Sequence, residues 1–406
     1  HNITGDTFVL NTLSTIASGL PGIWGDYDND GYLDIFSWRG GGKLYRNNNG
    51  NGSFTDESSK LPIANIDPAR EAALWADLNN DGFLDLYVGG YENGIGNNRP
   101  DYIFMNNGNG TFSLTWTSTA PHVPTRGVTA ADYDEDGDLD IYLSVYRLQA
   151  NVLWKNNGQG VMTNVAAAAG VHGTPYTTGG YTYYGHTIGS AWGDLDNDGY
   201  IDLFVANFSH STFYQDRPMF MKNLGPSGNY SFQDKSSTAN LTWQESFFSA
   251  VLGDYDNDGD LDLHFTTVYA APDHCVLYKN NGNWSFTDVT TASGLAGIVN
   301  APMNAWADFN NDGCLDLIAK GRLYKNTCGT NHYLKIKLVG DGTACNKSAI
   351  GAKVRINNNG KILMRQVESA SGDGQENDMC LHFGLDAAPA STATIVVTWP
   401  EGDMQQ

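Results

Sequence analysis

The segment Gly25–Phe36 reads Gly-Asp-Tyr-Asp-Asn-Asp-Gly-Tyr-Leu-Asp-Ile-Phe, and it constrains the fold more than any other stretch. Asp26, Asp28, Asp30 and Asp34 stand at positions 1, 3, 5 and 9 of a nine-residue loop, with Gly31 at position 6. Alternate residues put three carboxylates on one side of a tight turn. Glycine lets the chain reverse, because it adopts positive φ without a Cβ clash. The carbonyl at position 7 and Asp34 can then complete an oxygen cage. Calcium takes such a cage, six to eight hard oxygens at roughly 2.3–2.6 Å. The loop is like the first half of an EF-hand, except that β-type residues follow it instead of a helix.

A single copy could be an ordinary turn, since Asp, Asn and Gly all favour turns. Five more copies follow. They are Asp77, Asn79, Asp81 and Asp85; Asp132, Asp134, Asp136 and Asp140; Asp194, Asp196, Asp198 and Asp202; Asp254, Asp256, Asp258 and Asp262; and Asp308, Asn310, Asp312 and Asp316. Their first aspartates lie 51, 55, 62, 60 and 54 residues apart, and 22 of the 24 side-chain positions are Asp. Turn preference does not produce that uniformity. About six calcium ions are expected, one per loop. The plainest role for them is to staple the fold.

At 406 residues the chain can bury a large core. Its net charge is −22; six calcium ions would bring this to about −10, so much of the acidity belongs to the loops. The balance argues against nucleic acid, whose binders need a basic face. No apolar run approaches the roughly 18 residues of a membrane span. The first residue is His1, not Met, which fits a processed, secreted protein and equally a trimmed one. The five cysteines, Cys275, Cys314, Cys328, Cys345 and Cys380, leave one thiol over. Their pairing is open, although an intervening extended strand argues against Cys328 with Cys345.

Asn-x-Ser/Thr sequons begin at Asn2, Asn51, Asn109, Asn207, Asn229, Asn240, Asn283 and Asn346. Each marks an expected surface glycan if the protein is secreted by a eukaryote. Asn51, Asn109, Asn229 and Asn283 fall at the same point of the repeat, where a hairpin turn could also generate the pattern by chance.

The repeat of 50–60 residues has constant parts. A short strand ends in a small residue and the first Asp, as in Leu74-Trp75-Ala76-Asp77. After the loop a second strand leaves, a third ends in Asn, as in Leu44-Tyr45-Arg46-Asn47, and an Asn-Gly turn leads to a fourth, as in Phe54-Thr55-Asp56. Four short antiparallel strands per unit is the pattern of a propeller blade. The repeats resemble the FG-GAP/VCBS family, the integrin-like calcium-binding propeller repeat, over roughly residues 7–330. That resemblance implies calcium ligation at the first, third, fifth and ninth loop positions named above.

Residues 331–406 change character, with Ile350-Gly351-Ala352-Lys353-Val354, His382-Phe383-Gly384-Leu385 and Trp399-Pro400-Glu401-Gly402. They resemble the ASPIC/UnbV domain, a β-rich module that commonly follows such propellers and brings no established chemistry. The fold expected is therefore all-β. A propeller of six explicit calcium-loop blades spans 1–330, and 331–406 form either a small separate β domain or a seventh blade.

Tyr176–His186 is the densest aromatic stretch, and Tyr183, Tyr184 and His186 are its candidate ligand-binding residues. Aromatic, glycine-rich loops stack on sugars; they also simply pack between blades. With His210 these groups could serve as acid and base in a polysaccharide lyase, but a lyase needs a cation beside the uronate, and none is near in the sequence. No hydrolase, metalloprotease or phosphate-loop motif appears. The reading is a secreted, glycosylated adhesion, matrix or self-assembling module, with other extracellular proteins, glycans or copies of itself as partners. The alternatives are a lectin-like binder and a polysaccharide lyase. Thr7–Leu10 has the fourth-strand pattern but no blade of its own. It could close the ring within the chain, or pair with the next molecule and build fibres.

Overall fold

A computed structural model describes residues 21–63, 66, 70–209, 216–370 and 374–406. The regular structure of the described chain is almost entirely β-strand, as its alternating β-branched and aromatic residues require. Blade 1 comprises Ile23–Gly25, Asp34–Ser37, Lys43–Asn47 and Phe54–Asp56, hydrogen-bonded antiparallel in that order. Blade 2 comprises Ala73–Ala76, Asp85–Val88, Tyr102–Asn106 and Phe112–Thr117, and blade 3 Thr125–Ala131, Asp140–Val145, Val152–Lys155 and Thr163–Asn164. Blade 4 comprises His186–Gly193, Asp202–Phe208, Met219–Asn223 and Phe232–Asp234, and blade 5 Ala250–Gly253, Asp262–Phe265, Val276–Asn280 and Phe286–Asp288. Blade 6 has three strands among the described residues, Asn304–Ala307, Asp316–Ala319 and Arg322–Tyr324.

One register recurs in all six. The small residue before the first Asp pairs with the ninth-position Asp: Gly25 with Asp34, Ala76 with Asp85, Ala131 with Asp140, Gly193 with Asp202, Gly253 with Asp262 and Ala307 with Asp316. Each loop is thus clamped between the first two strands of its blade. Glycine is needed at three of these positions because a large side chain of the next blade lies on it: a tryptophan on Gly25 and Gly253, and Leu252 on Gly193. A Cβ on Gly25 would sit 2.6 Å from the Trp75 ring, and one on Gly253 would sit 2.7 Å from Trp306.

Trp75, Trp192 and Trp306 are consequently buried, at most 4% exposed, whereas the equivalent Trp24 is 39% exposed. Among the described residues no neighbouring blade packs on it. A groove of about 710 Å³ separates blade 1 from blade 6, lined by Trp24, Leu33, Ala305, Ile318 and Val339. The C-terminal region bridges part of this seam. Glu376 accepts from the Trp24 backbone N–H at 2.9 Å, and Asn377 from that of Trp306 at 3.0 Å. Thr7–Leu10 lies outside the described residues.

The C-terminal region builds two sheets of its own. His332–Ile336 pairs with Leu381–Asp386 and does not extend blade 6. Lys361–Gln366, Lys353–Asn358, Ile395–Thr398 and Met404–Gln405 form the other. Val354, Ile356, Leu363, Val367 and Phe383 join one continuous core with blades 1 to 3. Gln366 reaches the Ala130 carbonyl, Gln375 the Ser249 hydroxyl and Asn377 the Leu252 carbonyl, all on or next to innermost strands. The C-terminal sheets therefore sit on the loop end of the ring, with this segment against its inner wall. A disulfide ties Cys314, in the sixth loop, to Cys328; Cys275 and Cys345 are buried thiols, and Cys380 is partly buried.

Candidate metal centres

The fourth loop residue is in the left-handed region in every copy, φ +55° at Asn29 and +57° at Glu135 for example, and Gly31, its counterpart in the first loop's sixth position, has φ +91°. This double turn aims backbone N–H groups inward. The first-position carboxylate accepts from them: Asp26 from Asp30 and Gly31 at 3.0 and 2.7 Å, and Asp254 from Asp258 and Gly259 at 3.0 and 2.9 Å. The ninth-position carboxylate is held across the blade. Asp202 accepts from the N–H groups of Leu195 and Asn223 at 2.9 and 2.8 Å, and Asp262 from Tyr255 and Asn280 at 3.2 and 2.8 Å.

The carboxylates converge. Oxygens of Asp26, Asp28 and Asp34 lie within 4.8 Å of one another, as do those of Asp132, Asp134 and Asp136, of Asp194, Asp196 and Asp202, and of Asp254, Asp256 and Asp262. In loops 2 and 6 an amide, Asn79 or Asn310, stands in the third position instead of a carboxylate. Several of these oxygens are buried with no hydrogen-bond partner: Asn79 Oδ1, Asp134 Oδ1, Asp140 Oδ2, Asp196 Oδ1 and Asp256 Oδ1. Unpaired buried oxygens are expensive to bury, and a cation would satisfy them. All the donors are hard oxygens, so the set suits a divalent cation of the calcium type.

Electrostatics says the same. Burial pushes Asp34 up to about 8, with the Asp28 and Asp26 carboxylates adding to the shift. Burial likewise raises Asp26 to about 6, Asp77 to about 6, and Asp194 and Asp254 to about 7. Asp85, Asp140, Asp202 and Asp262 are held well above the usual carboxylate range for the same reason. So many like charges in a dry space favour either protons or a bound cation.

Three contact types join loop to loop, and the sequence reading missed them. The fourth-position Asn reaches the next blade: Asn29 donates to the Gly82 carbonyl at 2.9 Å, Asn80 to Asp138 at 2.7 Å, Asn197 to Asp260 at 2.6 Å and Asn257 to the Gly313 carbonyl at 3.0 Å. The Asn ending strand three reaches the previous blade, as Asn106 to the Tyr27 carbonyl at 2.7 Å and Asn280 to the Leu195 carbonyl at 2.9 Å. The C-terminal region touches all six loops. Lys347 N–H donates to Asn29, Thr343 packs on Gly82, Lys353 pairs with Asp132, Arg355 reaches the Gly199 carbonyl, Gly384 N–H donates to Asp254, and Lys335 pairs with Asp308. The recurring asparagines were visible as a period in the sequence; the C-terminal contacts were not.

Two sequons are corrected. Asn207 and Asn346 are fully buried. Asn207 accepts from Thr187 and donates to the Arg217 carbonyl, and Asn346 is closed on Ile350 from both sides, so neither amide can carry a glycan in the folded chain. Asn51, Asn109, Asn229, Asn240 and Asn283 are exposed, and Asn2 lies outside the described residues.

The aromatic stretch is a hairpin, not a loop. Tyr176–Thr178 pairs with Tyr181–Tyr183 around Gly179 and Gly180, both at positive φ, as a two-residue hairpin turn demands. Its candidates do not face one another. The Tyr183 ring neighbours Tyr181, that of Tyr184 neighbours His172, and His186 packs on Tyr146 at 4.6 Å between centroids. The structure also supplies cations that the sequence did not place there. The guanidinium groups of Arg126 and Arg147 lie 5.7 and 5.4 Å from the Tyr146 ring, at the end of the ring opposite the loops. His210 lies outside the described residues.

Comparison with known proteins agrees with these repeats. The family described as FG-GAP-like repeat matches residues 24–88, 93–143 and 194–265, and the family described as ASPIC and UnbV matches 342–406. The sixth loop falls outside both matches yet keeps the same geometry. Curated relatives include Cartilage acidic protein 1 of Xenopus tropicalis, 24% identical over 391 residues, and of Homo sapiens, 23% over 388. These alignments take in 88% and 89% of this chain but 56% and 55% of the relatives, so the chain spans about half their length. Among solved structures, a rhamnogalacturonan lyase from Bacillus licheniformis overlaps 95% of this chain and 70% of its own at 14% identity, with a TM-score of only 0.40. Among the described residues no helix is long and apolar enough to cross a membrane. The chain carries FG-GAP-like repeats and ends in an ASPIC and UnbV domain.

Proposed function

We propose that this chain is a secreted, calcium-stapled β-propeller that serves adhesion, matrix association or self-assembly and catalyses no reaction. The observation that carries the calcium reading is the set of buried loop oxygens left without hydrogen-bond partners. Each loop would hold one ion through its first, third, fifth and ninth side chains and the position-7 carbonyl. Calcium supplies positive charge there. The chain's own residues do the rest: backbone N–H groups orient the first and ninth carboxylates, and the flanking strands exclude water. Extracellular calcium modules bind at roughly 10⁻⁴–10⁻³ M, a range that suits a secreted protein. Similarity to Cartilage acidic protein 1 supports a matrix setting. Co-sedimentation of the full chain with insoluble cartilage matrix tests it. Retention in calcium and release by EGTA supports the reading, and no retention in either contradicts it. Assembly through Thr7–Leu10 is tested by deleting residues 1–12. Loss of higher-order particles with the fold retained supports it, and a monomer before and after rules it out.

A second reading, a carbohydrate site, is favoured by Arg126 and Arg147 against Tyr146 and His186. Guanidinium groups beside aromatic faces suit an acidic sugar. Calorimetry with a sulfated or uronate-bearing oligosaccharide, on the native chain and on R126Q and R147Q, tests it; absence of binding removes it. New ultraviolet absorbance from unsaturated uronate would instead support a lyase.

A further inference from the structure

A cation stands at the end of strand three in five blades: Arg46, Lys155, Lys222, Lys279 and Lys325. Four of the five bridge the third and fifth loop positions. Arg46 donates to Asp28 and Asp30 at 2.5 Å each. Lys155 binds Asp134 and, at 3.0 Å, Asp136; Lys222 binds Asp196 and, at 2.6 Å, Asp198; Lys279 binds Asp256 and, at 2.8 Å, Asp258. In each lysine case the cation takes Oδ2 of the third-position Asp, while Oδ1 of the same carboxylate is buried and unpartnered. The Asp134 side chain is 10% exposed. One oxygen is tied outward and the other is left facing the cage.

The two exceptions supply the N–H donor between positions 3 and 5 by other means. Where the third position is Asn, no cation bridges. In blade 2 the strand-three residue is Met105, and the Asn79 amide itself donates to Asp81 Oδ2 at 2.9 Å, with Asn79 Oδ1 buried and unpartnered. In blade 6 the Asn310 amide donates to Asp312 Oδ2 at 2.9 Å, and Lys325 stands 3.6 Å from that oxygen. The N–H donor that spans positions 3 and 5 is thus either a lysine or arginine beside Asp, or the amide of Asn. Loop 2 exchanges both together, losing one carboxylate and one ammonium, so its four ligand positions and strand-three residue keep the net charge of −3 that the same positions carry in loops 3 to 5.

We propose that Lys155, Lys222 and Lys279, with Arg46, are positioning residues of the metal cages, holding the outer oxygens of positions 3 and 5 so that the inner oxygen of position 3 points at the ion. The inference rests on the calcium reading above. An orienting partner outside the ligand shell is worth about 10- to 100-fold in metal affinity. A rival account has the ammonium competing with calcium for the same oxygens, and it predicts the opposite sign.

Equilibrium dialysis with ⁴⁵Ca²⁺ on the full chain separates them. K155M, K222M and K279M should each weaken calcium at one site about 10- to 100-fold, and D134N, D196N or D256N added to the matching variant should restore it, since that pair copies loop 2. Reciprocally, N79D alone should weaken the second site and N79D with M105K should recover it. This blade 2 exchange carries the test if a lysine variant fails to fold. Unchanged or tighter binding in the single variants, or no recovery in the pairs, overturns the proposal while the calcium reading stands. A native chain that binds no calcium defeats the calcium reading itself.

Discussion

Lys353 of the C-terminal sheets places its ammonium 2.8 Å from Asp132, the first residue of the third loop, and both side chains are buried. Removing one partner of a buried pair strands the other charge and costs about 3–5 kcal/mol. Lys353→Met should therefore lower the melting temperature and expose the C-terminal region to limited proteolysis. The same melting temperature and cleavage pattern as the native chain would mean that the pair does not hold the two parts together.

Trp24 and Trp75 occupy the same place in successive blades but differ in burial. Truncating a buried aromatic costs about 3–5 kcal/mol. Trp75→Ala should reach that range in urea denaturation, and Trp24→Ala should lose well under half as much. Equal losses would show that something covers the blade 1–blade 6 seam in solution.

The metal-free chain should lose stability as pH rises. Asp26, Asp34, Asp194 and Asp254 have folded values raised to about 6, 8, 7 and 7 by burial and by like charges nearby. A raised carboxyl contributes stability that is fully present below its unfolded value, about 4, and is lost as pH climbs through the folded value. In excess EGTA the melting temperature should fall between about pH 4 and pH 8, and calcium should flatten the curve. A metal-free melting temperature that is level or rising across that range contradicts the assignment.

Glycan occupancy should follow burial. Material from a eukaryotic secretory host should carry glycans among Asn51, Asn109, Asn229, Asn240 and Asn283, and none at Asn207 or Asn346. Peptide mapping after glycosidase treatment reads this directly, and a modified Asn207 or Asn346 would contradict the buried placement.

The recurring loop acids were legible because they repeat. Positions 1, 3, 5, 6 and 9 carry Asp, Asn or Gly six times, a spacing that turn preference alone does not produce. The strand order inside each blade followed from the same period. The sequon pattern misled at Asn207 because three residues cannot report that the strand carrying them runs through the core. The Lys353–Asp132 pair spans 221 residues and belongs to no repeat, so nothing in the sequence marks those two as neighbours. The strand-three cation sits in plain view before the Asn of five blades, but its meaning appears only when the structure shows which carboxylate oxygen it takes.

Calcium dependence of the melting temperature of the full chain tests the central claim most directly. Metal that binds only the folded state stabilises it by about 2.7 kcal/mol per site at a hundredfold excess over Kd. Six sites should together shift the transition by roughly 10 °C or more. A large drop in excess EGTA, with metal loss verified by elemental analysis and recovery on adding calcium, is the predicted result. A transition that stays where it was after verified removal would contradict it.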